Sequence, residues 1–82
     1  MDENQKRILA HQLLTTFSKQ KKECILVFTD IYQELFSLRH VPVQARVGDA
    51  VYINRLKAID FLKRRFNLVS REEREQILSL LS

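Results

Sequence analysis

Apolar positions recur along this chain at two spacings, and the change from one to the other divides it into elements. Between residues 3 and 20, Leu9, Ala10, Leu13, Leu14 and Phe17 fall within roughly 140° of arc at 100° per residue, which predicts a first helix with one core-facing stripe. Asp2 is the expected N-cap, with Gln5 placed to reach back as a capping box. Ile8 lies off the stripe, while Asn4, Lys6, Arg7, Gln12 and Thr15 are on or near the wet side.

Residues 22–38 predict a second helix. Cys24, Ile25, Val27, Phe28, Ile31, Tyr32, Leu35, Phe36 and Leu38 take up more than half of its circumference. Thr29, Asp30, Gln33, Glu34 and Ser37 form the remaining polar strip, with Leu26 stranded among them. A helix this apolar is central to the fold or shared with a second subunit. Short apolar runs are ambiguous, so the competing reading makes residues 24–29 a buried strand. The helical period continuing through Phe36 favours the helix.

The pattern breaks over residues 39–53. Pro42 disfavours helix for Val41, and Gly48-Asp49 is a turn signal. Val43, Ala45 and Val47, then Val51 and Ile53, alternate at period two, which predicts a short β-hairpin closed by Gly48-Asp49. The alternative is an irregular loop followed by a helix beginning near Asp49. A third helix is expected over 54–66, capped by Asn54, with Leu56, Ala58, Ile59, Leu62 and Phe66 buried and Phe61 widening that face. Asp60 and Arg64 are spaced for an i,i+4 ion pair. After a connector at 67–69, Ser70 with Glu73 forms a capping box that opens a fourth helix over 71–81, anchored by Ile77, Leu78 and Leu81. The expected fold is one domain over residues 1–82, mostly α, with four helices and a short winged-helix-like hairpin between helices two and three.

Length sharpens this picture. A chain of 82 residues buries only about 60–65% of the surface that its unfolded form exposes, so a homodimer is expected. Cys24 is the only cysteine, which suits a reducing compartment. The polar N-terminus has no apolar h-region behind it, and the longest apolar run, residues 24–28, falls far short of a membrane span. A cytoplasmic location is expected.

Catalytic chemistry finds few candidates. His11 and His40 stand at no metal-ligand spacing with Cys24 or a carboxylate. Cys24 heads an apolar run, as a buried structural thiol does. Glu72, Glu73 and Glu75 suit the positive end of a helix dipole. We expect no enzyme, no metal and no cofactor.

Charge is distributed unevenly. Residues 1–38 are balanced, and residues 70–82 carry a slight negative excess. Residues 39–69 hold seven cations, Arg39, Arg46, Arg55, Lys57, Lys63, Arg64 and Arg65, against Asp49 and Asp60. If these cations line one surface they can neutralise phosphates without reading sequence, which makes DNA a candidate partner. The bland reading is that they solvate the exterior, since Lys63-Arg64-Arg65 alone spans about 200° of a helix.

Ile31-Tyr32, Val41-Pro42-Val43, Arg46-Val47-Gly48, Tyr52-Ile53 and the run 58–62, AIDFL, together resemble the excisionase and MerR-like winged helix-turn-helix family across residues 31–62. The resemblance implies a major-groove helix over residues 29–37, with Arg46 and Arg55 flanking a wing that contacts phosphates. The first functional expectation is thus a small regulatory DNA-binding protein. The second is a homodimeric protein–protein interaction module, an adaptor, anti-activator or inhibitor, with Leu26, Phe28, Tyr32 and Phe36 at its interface.

Overall fold

The computed structural model describes residues 1–36, 40–68 and 71–81, of Arg71 the backbone only. Helix α1 (Glu3–Lys19) starts from the expected capping box: Gln5 N–H donates to Asp2 Oδ1 at 2.8 Å, and Asp2 N–H donates to Gln5 Oε1 at 3.1 Å. Ala10 and Phe17 of its stripe are buried, with Leu9, Leu13 and Leu14 packed beside them.

The predicted second helix divides in two. Residues Cys24–Phe28 form strand β1, and only Thr29–Leu35 forms helix α2. Ile25 and Val27 point into the core while Leu26 and Phe28 point out, a period-two alternation that one helix face cannot accommodate. The strand runs into the helix with no breaker between them, and Phe28 occupies the N-cap position without a side-chain hydrogen bond. Thr29 N–H instead donates to the Asp49 carbonyl at 2.8 Å, so the hairpin turn fixes where α2 begins.

The hairpin is formed by β2 (Val43–Val47) and β3 (Ala50–Asn54). Gly48 supplies a φ of 57° at the first turn position and, among the described residues, Asp49 has no positive φ, the combination of a type II′ turn. β3 is the centre of a three-stranded antiparallel sheet in the order β1-β3-β2. A register shift between Val43 and Ala45 doubles β2 against one β3 position: Val43 stands opposite inward Ile53, whereas Ala45 and Val47 stand opposite outward Tyr52 and Ala50. The alternation of Val43, Ala45 and Val47 therefore does not define a single face.

Helix α3 (Arg55–Phe66) begins where predicted, with Lys57 N–H donating to Asn54 Oδ1 at 2.9 Å. Asn67 ends it in the left-handed conformation, φ 54°. Helices α1, α2 and α3 cover one face of the sheet, and Ile25, Val27, Val51 and Ile53 meet Ala10, Phe17, Ala58, Leu62 and Phe66 in a single core. The fold is mostly α, with four helices and a minor β component among the described residues.

Three expectations of burial are corrected. Leu56 is exposed, because at 100° per residue it lies about 120° from the centre of the arc that buries Ala58, Leu62 and Phe66. Ile77, Leu78 and Leu81 of helix α4 (Arg71–Leu81) are also exposed, and no described α4 side chain is buried. Tyr32 and Phe36, expected at an interface, belong to the core instead. Ser70 of the expected capping box lies outside the described residues.

Candidate functional site

The alternation that sends Ile25, Val27, Val51 and Ile53 inward sends their neighbours to the opposite face. Register places Leu26 beside Tyr52, Phe28 beside Ala50, Val47 on the other side of Ala50, and Ala45 on the other side of Tyr52. Those six side chains form one patch, crossed by all three strands. Ala50 lies buried between Phe28 and Val47, outside the main core cluster. Leu26 is 50% exposed, Phe28 63%, Val47 53% and Tyr52 36%, so nothing described covers the patch. Contiguous apolar patches of more than about a few hundred Å² on a monomer surface mark interaction sites.

One edge of the sheet is also open. Arg55 N–H donates to the Glu23 carbonyl, as Thr29 N–H does to that of Asp49, so the odd-numbered residues of β1 bond to β3. Cys24 and Leu26 consequently turn their backbone groups away from the sheet. The opposite edge, β2, carries a bulge and the charge of Arg46, two features that discourage strand addition.

No family model, no curated protein and no solved structure matches this chain.

Of the interface residues expected from sequence, Leu26 and Phe28 lie on the patch and Tyr32 and Phe36 do not. The Tyr32 ring stacks on Phe36 with centroids 5.8 Å apart, and Phe36 meets Phe61 at 5.8 Å. The Tyr32 hydroxyl donates to the Val41 carbonyl at 2.6 Å. Val41 is thereby held against α2, and the His40 ring lies 5.5 Å from that of Phe61 on α3. Val47, Ala50 and Tyr52 were not among the expected interface residues, although their period-two spacing was legible.

Of the six described basic candidates, three pair with carboxylates. Lys63 pairs with Glu73 at 3.2 Å, Arg64 with Asp60 at 3.2 Å, and Arg65 with Glu3 at 2.7 Å. The Arg65 guanidinium also lies over the Phe66 ring, 4.7 Å from its centroid. Its hydrogen bond to Glu3 holds the Glu3 carboxyl below the usual range. Arg46 sits on edge strand β2, sharing an open groove with Thr29, Asp30, Gln33 and Asp49. Arg55 Nε donates to the Lys22 carbonyl at 2.9 Å, which places it with Lys57 at the start of α3. Arg39 lies outside the described residues. The candidate recognition helix has two turns, and its outward Glu34 is 3.7 Å from Lys6. Among the described residues, no group of three His, Cys, Asp or Glu side chains could hold a metal ion.

Proposed function

We propose that this protein is a homodimeric protein–protein interaction module, of the adaptor or inhibitor kind, that contacts its second copy through the outer face of its sheet. The observation that carries the proposal is the uncovered patch of Leu26, Phe28, Val47 and Tyr52, gathered by strand register onto one surface. Burial of such side chains is the main driving force of protein association, at about 25 cal/mol per Å² of apolar surface. Sedimentation equilibrium tests the proposal. The wild-type chain should sediment as a dimer, and Leu26→Asp should shift it to monomer by placing a charge in the patch. A wild-type chain that remains monomeric at submillimolar concentration ends this reading.

The second reading is DNA contact through the basic segment, in the manner of a winged helix. Arg46, Arg55 and Lys57 favour it, being the three described candidates with no carboxylate in ion-pair range. It predicts duplex binding that weakens steeply with salt and disappears when Arg55, Lys57 and Arg64 are all replaced by Glu. Lys63, Arg64 and Arg65 would each have to leave a carboxylate to reach a phosphate, so this reading ranks second.

A further inference from the structure

Two apolar surfaces of this chain are bare. One is the flat outer face of the sheet. The other is on α4, where Ile77, Leu78, Leu80 and Leu81 fall within about 160° of arc. These four side chains are 52–87% exposed, the most solvated run of leucines and isoleucine in the chain. Helices shorter than about 12 residues are marginal alone in water. With 11 residues, α4 needs a surface over this arc to stay helical.

Among the described residues, none covers this arc in the same molecule. Beside the base of α4 lies a groove lined by Leu14 and Leu68 together with Arg7, His11, Ser18 and Lys19, but Ile77, Leu78, Leu80 and Leu81 do not enter it. The outer sheet face is out of reach: Glu73 is tied to Lys63 of α3, and α3 lies against the other face of the sheet. The molecule is elongated, 49 × 29 × 23 Å. Its radius of gyration is 13.7 Å, where a compact chain of this length has about 12 Å. Charge is complementary in part. Lys21, Lys22 and Arg55, with Glu23 beside them, stand at one end of the sheet, and α4 opens with Glu72, next to the Glu73 already paired with Lys63.

We propose that α4 of one copy lies across the outer sheet face of a second copy, and that the contact is reciprocal about a two-fold axis. This rests on the homodimer reading above and adds which surface meets which. Each chain then supplies a helix and receives one, so both bare surfaces are covered in a closed pair with none left to recruit a third copy.

The experiment uses three full-length chains, wild type, Leu78→Asp and Phe28→Asp, followed by sedimentation equilibrium. Neither side chain is part of the core, so both variants should keep the wild-type circular dichroism of the folded sheet and of α1 to α3. Each should weaken dimerisation by about tenfold or more, as loss of a central apolar contact does. An equimolar mixture of the two variants should associate more tightly than either alone. In the mixed pair, the intact α4 of the Phe28→Asp chain meets the intact face of the Leu78→Asp chain. A wild-type monomer would overturn both this proposal and the homodimer reading. A wild-type dimer that Leu78→Asp leaves intact would overturn only the exchange, indicating faces packed on each other. A dimer weakened by Leu78→Asp but not by Phe28→Asp would overturn it in favour of α4 pairing with α4. A mixture no tighter than its components would overturn it too.

Discussion

Tyr32 carries an apolar ring and a polar tip into the core, and each finds a partner: Phe36 for the ring, the Val41 carbonyl for the hydroxyl. Tyr32→Phe should therefore cost about 1–3 kcal/mol in urea unfolding, because Val41 is fully buried and its carbonyl would lose its donor. Burial also pushes the Tyr32 hydroxyl above its ordinary pKa of 10.0, partly offset by the charge of Arg46. A group whose folded pKa is raised contributes stability that is complete below its unfolded value and is lost as pH rises through the folded one. Wild type should thus weaken in alkali beyond the ordinary tyrosine range, and Tyr32→Phe should lose that part of the decline. At the surface, Arg65→Ala should return the Glu3 carboxyl upward to the usual range, visible by NMR titration as a later protonation on acidification being replaced by an earlier one. Neither Tyr32 nor Phe36 could be assigned to the core from the sequence. On a continuous helix they share a stripe with Phe28, and only a strand ending at Phe28 separates them.

Among the elements, legibility followed local punctuation. Asp2 with Gln5, and Asn54, are side-chain caps whose hydrogen bonds act within three residues, and the helices they open begin where the sequence placed them. The junction between β1 and α2 has no such mark. Its start is set by the bond from Thr29 N–H to Asp49, twenty residues away and invisible to any local pattern. The hairpin was readable from Gly48-Asp49, but the bulge that moves Val43 to the inner face was not, because it depends on pairing with Ile53. Gly48→Ala should destabilise the fold by about 1–2 kcal/mol through its positive φ, although open space surrounds the added methyl. Gly48→Asn should cost less, since Asn tolerates this conformation. Asn54→Ala should cost about 1 kcal/mol by removing the cap of α3. Thermal unfolding of the three variants checks the order.

For the molecule as a whole, a charge count along the chain and a charge map in space diverge. The cationic excess of residues 39–69 was plain, but two of its cations find partners elsewhere, Arg65 in Glu3 of α1 and Lys63 in Glu73 of α4. Those pairings need the tertiary fold, as does the joining of Leu26, Phe28, Val47 and Tyr52 from three strands. The two functional readings differ most simply in their response to salt. A surface that neutralises several phosphates loses affinity by orders of magnitude between about 50 and 200 mM salt. Apolar contact between copies carries no such penalty, and the flanking charges at its rim add only a screened contribution. The dimer dissociation constant should accordingly change little over that range. Because only the folded chain associates, the melting temperature should also rise with protein concentration, by mass action. Leu26→Asp should remove that dependence while leaving the dilute-limit melting temperature close to wild type, since Leu26 is outside the core. A melting temperature independent of concentration in wild type would mean that the bare sheet face is solvated in the working state of the protein.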